Sequence, residues 1–166
     1  MAALRDIARD FAAEIRDGIG WTIVYRTGRS WNALTIWWIW YATPVGPPAA
    51  TLASTTMNMI AFMLFHTVSK KAPKALAYVT LVTAWITTEY WYTVGDFSWP
   101  WLILGNGFSH EVWAVQWYEY TGVFGGTLWV LLSNILIFEA LQARRSTRRW
   151  AAAACSVALP MIASLC

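Results

Sequence analysis

The chain has few side chains suited to acid–base chemistry, and three of them lie close together in the sequence. His110, Glu111 and Glu119 fall in or just after a segment rich in Trp and Gly. Such groups act as general acids and bases when they converge on a substrate. Groups of this kind also commonly cap helices or contact water, so the sequence leaves both interpretations open.

Glu89 is the other carboxylate of interest, because it lies within the apolar stretch TEYWY. A carboxylate inside a membrane span is costly and marks a functional site by default. The alternative is a side chain that reaches toward the headgroups, since only about one and a half helical turns separate Glu89 from Gly95. Both roles remain possible from the sequence.

Nucleophilic and metal chemistry have no candidates in the sequence. Cys155 and Cys166 have no neighbouring His or Cys at metal-ligand spacing, so we interpret both as structural thiols rather than as a nucleophile or ligands. The chain also has no Walker loop, no dinucleotide fingerprint and no GxSxG elbow. We therefore expect no nucleophile, no metal and no cofactor in this chain.

The composition is that of a membrane protein. Hydrophobic residues make up 58% of the chain and charged residues only 13%, whereas soluble domains carry about 25% charged residues. The 13 Trp suit the headgroup level of a bilayer. After Arg29 every basic residue falls in one of two short clusters between apolar runs, which argues against a nucleic-acid partner. The clusters are Lys70, Lys71 and Lys74, and Arg144, Arg145, Arg148 and Arg149.

The apolar runs predict an all-α, polytopic transmembrane bundle of about four to five spans, comprising residues 19–166. The positive-inside rule places the basic loops 70–74 and 142–149 in the cytoplasm and loop 95–117 in the periplasm. Residues 30–43 are too short to cross alone and are interpreted as the outer part of a spanning helix. The full spans are predicted at residues 48–68, 75–94, 118–141 and 150–166.

Residues 1–18 form a separate amphipathic segment by pattern, with charges on the face opposite Leu4, Ile7 and Phe11. The segment is predicted to be a helix that lies on the membrane surface, against a partner or in solvent. No apolar region follows Met1, so we expect no cleavable signal peptide.

The segment 97–134 is predicted to be the working part of the protein. Pro100, Gly105 and Gly107 interrupt its aromatic first half, which indicates a loop that enters the interface before the chain crosses the membrane. The second half is a predicted helix with four small or polar residues suited to helix packing, two of them spaced as GxxxG. These residues are Gly122, Gly125, Gly126 and Asn134.

Several ordered motifs in this region resemble the membrane domain of bacterial apolipoprotein N-acyltransferases. The best-matching pieces are SWPWLILGNGF at 98–108 and QWYEYTGVFGGTLW at 116–129. WWIWYAT at 37–43, the pair at 89–90 and Asn134 also fit, so the likeness runs from about residue 31 to the end of the chain.

The resemblance implies a role in lipoprotein maturation at the bacterial cytoplasmic (inner) membrane. Enzymes of this family transfer an acyl chain from a phospholipid donor to the N-terminal lipidated Cys of an apolipoprotein acceptor. Both substrates and the surrounding membrane lipids are therefore the implied partners. The implied lipid or substrate entrance is formed by Trp99, Pro100, Trp101, Trp117, Glu119 and Glu89.

The chain departs from the family pattern at both ends. The resemblance implies further membrane helix before Trp31, where this chain has a charged segment. It also implies a nitrilase-like domain with catalytic Glu, Lys and Cys, for which this chain has no counterparts. We therefore expect a partial acyltransferase that is inactive by itself, and Cys166 is not its nucleophile.

Two other classes of protein compete with this interpretation. The length and Trp content are similar to those of TspO-like membrane proteins, which bind porphyrins and sterol-like ligands. The order of the motifs and the PWLILGNGF loop favour the acyltransferase, and porphyrin titration separates the two. A non-catalytic remnant that packs against other membrane proteins is the third possibility.

Overall fold

The structure, a computed structural model, describes residues 20–94, 100–143 and 146–164, with side chains from residue 24 onward. All regular structure in these ranges is helical, which confirms the all-α prediction. The amphipathic segment 1–18 lies outside the described residues, so the division into 1–18 and 19–166 stays a prediction. The α-helices are α1 (Gly20–Ile36), α2 (Gly46–Ser69), α3 (Lys74–Val94), α4 (Tyr118–Gln142) and α5 (Thr147–Ala163). Short 3-10 helices occur at Trp37–Tyr41, Pro100–Leu102, Leu104–Phe108 and Val112–Ala114.

The described residues form two compact units, divided between Trp91 and Tyr92. In the first unit α1 packs against α2 through a buried polar contact. The Asn32 side-chain amide donates a hydrogen bond of 3.0 Å to the Thr55 hydroxyl. At Gly28 an added Cβ would lie 3.3 Å from the Thr55 methyl carbon, so the two helices approach closely at this level.

The stretch at 30–43 differs from the expected single helical segment. Arg26 and Arg29 lie inside α1, which ends at Ile36, and a 3-10 helix follows. Pro44 disfavours helical backbone at the residue before it, so the helix cannot continue into the next span. The Thr43 hydroxyl then accepts a hydrogen bond of 3.0 Å from the Gly46 amide, and prolines in the first turn of α2 restart the helix.

Two helices in the described part of the chain, α2 and α4, are long and apolar enough to cross a membrane. Helix α3 forms where a span was expected, but Glu89 and its many Thr and aromatic residues make it less apolar. Helix α5 has 17 residues and is too short by the same measure. The predicted count of four to five spans is therefore only partly supported.

In the second unit α4 packs against α5. The Trp129 indole N–H donates a hydrogen bond of 2.7 Å to the carbonyl of Ser156. Near the connecting turn Arg149 forms an ion pair of 3.0 Å with Glu139. The Ser146 hydroxyl accepts from the Arg149 amide and caps α5. These contacts hold α4 against α5.

Candidate functional site

The described part of the aromatic loop between α3 and α4, residues 100–117, contains three short 3-10 helices. Pro100 begins the first of them, and its carbonyl accepts a hydrogen bond of 2.8 Å from the Asn106 side-chain amide. Asn106 lies in the second 3-10 helix, so this bond joins two consecutive turns. The loop therefore has an internal framework that fixes the position of Pro100.

Gly105 anchors the loop to α4 through both of its backbone polar groups. The buried Gly105 amide donates a hydrogen bond of 3.1 Å to the Thr127 hydroxyl. The Tyr118 hydroxyl donates one of 3.0 Å to the Gly105 carbonyl. Two side chains from different turns of α4 thus satisfy the backbone N–H and C=O of a buried loop residue, as the energetics of buried backbone require.

The same contact leaves no room for a side chain on either surface. A Cβ on Gly105 would collide with the backbone carbonyl oxygen of Val123. A Cβ on Gly126 would collide with the Tyr118 hydroxyl and lie 3.0 Å from the Gly105 Cα. Gly126 therefore lies close against the loop backbone, and its packing against another helix stays a prediction.

Gly122 has a different role from its expected one in helix packing. Its φ of 66° and ψ of −175° are non-helical and mark a kink within α4. A Cβ added to Gly122 would meet nothing within 4 Å. In the described structure, glycine is thus required at this position by the backbone conformation and not by close packing. The GxxxG spacing of Gly122 and Gly126 therefore does not explain the contact with Gly105, in which only Gly126 takes part.

The two remaining residues predicted for helix packing also differ from each other. A Cβ on Gly125 would collide with Thr121 of its own helix and lie 3.1 Å from the Trp117 ring. Asn134 is exposed, with no helix contact described for it. Close packing thus involves Gly125 and Gly126, and a helix-packing role for Asn134 stays a prediction.

An aromatic cluster lies beside the Gly105 contact. The Trp117 ring packs edge-to-face on Trp129 at a centroid distance of 5.8 Å and on Tyr118 at 4.7 Å. Phe108 of the loop lies 4.9 Å from Trp129. Sequence reasoning named Trp117 but missed Phe108 and Trp129, whose only signal was their place inside the two best-matching motifs.

The residues expected at the lipid entrance occupy different environments. Trp101 is 61% exposed, Pro100 and Trp117 are half-buried, and Glu119 is exposed at the start of α4. Trp99 lies outside the described residues. The loop framework therefore presents the Trp101 ring outward while Trp117 is held in the aromatic cluster.

Glu89 is buried rather than directed toward solvent. Only 2% of its surface is exposed, and its carboxylate accepts a hydrogen bond of 3.0 Å from the Trp85 indole N–H one turn earlier. This environment differs from that of a side chain that reaches out to the headgroups. A buried carboxylate with hydrogen-bonding contacts is the arrangement expected of an intramembrane polar site.

The possible acid–base group is not assembled in the described part of the chain. The Glu111 carboxylate accepts a hydrogen bond of 2.6 Å from the Trp113 indole, and neither His110 nor Glu119 bonds to it. Within the same residues no three His, Cys, Asp or Glu side chains are close enough to hold a metal ion. Cys155 is an exposed thiol on α5.

Comparisons with known proteins give one consistent likeness. Residues 11–136 match the family model described as the apolipoprotein N-acyltransferase N-terminal domain. The chain is also 29% identical over 113 residues to the apolipoprotein N-acyltransferase of Chlorobaculum tepidum, which covers 68% of this chain and 21% of that protein. The chain thus spans about a fifth of that relative's length. No solved structure matches it.

Proposed function

Because this chain belongs to the family of apolipoprotein N-acyltransferase N-terminal domains, we propose that it is the membrane domain of such an enzyme. In this role it serves the transfer of an acyl chain from a phospholipid to the N-terminal lipidated Cys of an apolipoprotein. The observation that carries the proposal is the family match, which includes the whole aromatic loop and most of α4.

The exposure of the apolar helices supports membrane insertion. Helices α2 and α4 have 24 and 25 residues. Only 17% of the most apolar stretch of α2 and 22% of that of α4 is buried within the protein. The core helix of a soluble protein would be mostly buried, whereas a span presents its apolar side chains to lipid. We place the protein in the bacterial inner membrane, with basic loops 70–74 and 142–149 cytoplasmic and loop 95–117 periplasmic.

We assign the loop and its anchor to the entrance for the lipid substrates. Trp101 would contact acyl chains. Pro100, whose carbonyl is hydrogen-bonded by Asn106, would hold the Trp101 ring at the surface. Trp117 would support the loop from the aromatic cluster, with Trp99 and Glu119 at the rim. The buried carboxylate of Glu89 would provide a polar group on α3, the helix that precedes this loop in the chain.

The chain's own residues would bind and orient the substrates and would not break or form the acyl bond. The described thiol, Cys155, is exposed on α5 and has no base within hydrogen-bonding distance among the described residues. We therefore expect no acyl transfer from the isolated chain in vesicles that contain phospholipid donor and apolipoprotein acceptor. Turnover by the purified chain would contradict this assignment.

The entrance is tested by Trp101→Ala in a complete family member that has tryptophan at this position. We expect acyl transfer to fall while the amount of enzyme inserted in the membrane is unchanged. Trp31→Ala is a matched control, because Trp31 is also 61% exposed but lies on α1, outside the loop. Equal turnover in both variants and the parent would refute the entrance role.

A further inference from the structure

A long groove lies between α1 and α2 in the first compact unit. Tyr25, Arg29 and Ala33 line it at four-residue spacing, so they share one face of α1. The groove continues past Trp37 and Tyr41 in the 3-10 helix, and the first two turns of α2 form its opposite wall. It is therefore an elongated slot that follows most of the length of α1.

The arginines of the groove, Arg26 and Arg29, lie deep in the membrane by the placement proposed above. That placement puts the 3-10 helix Trp37–Tyr41 at the outer end, where its aromatic rings suit the headgroup level. Arg29 precedes Trp37 by eight positions in the sequence. At about 1.5 Å per residue this separation is about 12 Å along the helix, and Arg26 lies about 4 Å deeper. In a hydrocarbon core about 30 Å thick, both arginines thus lie nearer to the middle than to the outer edge.

Neither arginine has a counter-charge within the part of the chain that the structure describes. No Asp or Glu lines the groove, and both arginine side chains are exposed. The Arg29 guanidinium carbon lies 5.6 Å from the centre of the Tyr25 ring, a contact that orients the group but supplies no negative charge. Charged groups at such depth are costly unless an opposite charge pairs with them. The groove therefore requires an anion from outside the described residues.

The depth of the arginines favours a protein carboxylate over a lipid phosphate as this anion. A phosphate belongs to the headgroup layer, which lies outside the hydrocarbon core. A carboxylate on a transmembrane helix can lie at any depth, and the planar fork of Arg binds it through two parallel hydrogen bonds. Ser30 and Ala33 line the groove between Arg29 and Trp37, and such small side chains let the backbone of another helix approach closely.

A second copy of the chain offers no suitable carboxylate among its described residues. Glu89 is only 2% exposed, and Glu139 is paired with Arg149. Glu111 lies in the aromatic loop and Glu119 in the first turn of α4, so both belong to the outer end in the proposed topology. The groove therefore fits a helix of a different protein better than a second copy.

We propose that this groove binds a transmembrane helix of another membrane protein, through an Asp or Glu near the middle of that helix that pairs with Arg26 and Arg29. The partner's backbone lies over Ser30 and Ala33, and Trp37 packs against its outer part. The inference rests on the proposed membrane placement and is independent of the acyl-transfer role.

The test uses the full chain in phosphatidylcholine vesicles, with a synthetic helix of about 20 Leu and Ala residues that carries one central Glu and flanking Lys. A dansyl group on this helix accepts energy from the Trp residues of the chain and so reports association. At mildly alkaline pH we expect the Glu helix to bind about tenfold more tightly than the same helix with Gln, because only the carboxylate pairs with the arginines.

Matched charge variants locate the pairing. Arg26→Gln with Arg29→Gln should abolish the preference for the Glu helix. Lys71→Gln with Arg148→Gln removes the same charge from exposed positions outside the groove and should retain the preference. Arg26→Glu with Arg29→Glu should reverse it in favour of a helix with a central Lys, which a merely unfolded variant would not do.

A shape variant tests the slot itself. Ala33→Trp leaves both arginines in place but occupies the position of the partner's backbone. It should weaken binding of the Glu helix about tenfold while the far-UV circular dichroism stays that of the parent.

Resistance of the chain to carbonate extraction from the vesicles is measured alongside, so that the two proposals fail separately. Extraction of the chain would overturn its membrane placement and this inference with it. If the inserted chain binds the Glu and Gln helices equally, or if the preference survives Arg26→Gln with Arg29→Gln, the helix partner alone is overturned. Loss of the preference when phosphatidylglycerol is added would assign the arginines to a lipid instead. Self-association abolished by Ala33→Trp would assign the groove to a second copy.

Discussion

Gly105 and Thr127 are 22 positions apart in the sequence, yet the amide of one donates a buried hydrogen bond of 3.1 Å to the hydroxyl of the other. This bond, with the Tyr118 hydroxyl on the Gly105 carbonyl, joins the aromatic loop to the helix that follows it. The loop that presents Trp101 is therefore anchored to α4 at Gly105 as well as through the chain that connects them. Its geometry depends on a contact between backbones that only glycine permits.

Gly105→Ala should lower the free energy of unfolding by about 1–3 kcal/mol, because the new methyl group collides with the Val123 carbonyl oxygen. Thermal unfolding in detergent, followed by Trp fluorescence, measures the change. Gly107→Ala is the matched control, since it lies in the same 3-10 helix and its Cβ would meet nothing within 4 Å. Equal losses of stability in the two variants would show that the close contact is not the cause.

Gly122→Ala should cost about 1–3 kcal/mol through backbone strain alone, because its φ of 66° and ψ of −175° belong to a region that is essentially restricted to glycine. Gly122→Asn should be no better tolerated, since Asn favours the left-handed helical region, in which ψ is quite different. Chemical unfolding of both variants provides the measurement. A fully stable Gly122→Asn variant would contradict the conformational explanation.

Thr127→Val removes the hydroxyl that accepts from the Gly105 amide and nearly preserves side-chain volume. It should destabilise the protein by about 1–3 kcal/mol, because the buried amide is left without that partner. Limited proteolysis of the loop should accelerate in parallel, which connects the loss to loop anchoring.

Tyr118→Phe removes the donor to the Gly105 carbonyl and should cost about 1 kcal/mol in the free energy of unfolding. Tyr120→Phe provides the reference, because Tyr120 is 88% exposed and should show almost no change. If the Tyr118→Phe and Thr127→Val effects are strictly additive in a double-mutant cycle, then the two bonds do not act as one anchor.

Arg149→Ala breaks the ion pair with Glu139 between α4 and α5, and we expect a loss below about 1 kcal/mol, since the Arg149 side chain is 51% exposed. The loss should shrink as salt is added, because exposed ion pairs are screened. Arg148→Ala serves as the comparison. A salt-independent loss larger than that of Arg148→Ala would show that Arg149 acts through packing.

Much of the fold follows from local sequence patterns. The expected spans at 48–68, 75–94 and 118–141 lie within a few residues of α2, α3 and α4, because prolines, glycines and basic residues end apolar runs at defined positions. The segment at 30–43 differs for a related reason. Its lack of charge predicts one element, whereas the helix includes Arg26 and Arg29 and ends at Ile36, before Pro44.

The site was predicted less completely. The motifs predict a site at the loop and Trp101, which stays a prediction, and they give Gly122 a packing role, whereas the structure has a kink at this residue. Phe108 and Trp129 carried no chemical signal of their own. Aromatic residues are frequent in this chain, so their pairing could not be distinguished from ordinary membrane-interface composition.

The sequence by itself determined the helical class, the apolar character and the positions where the chain turns, because these properties depend on residues within a few positions of one another. Only the tertiary structure decided that Gly105 lies against Gly126, that Glu89 is buried and that two arginines share a groove with Trp37. The physical reason is that burial and close backbone approach depend on residues that are distant in the chain, and helical periodicity carries no information about which distant residues meet.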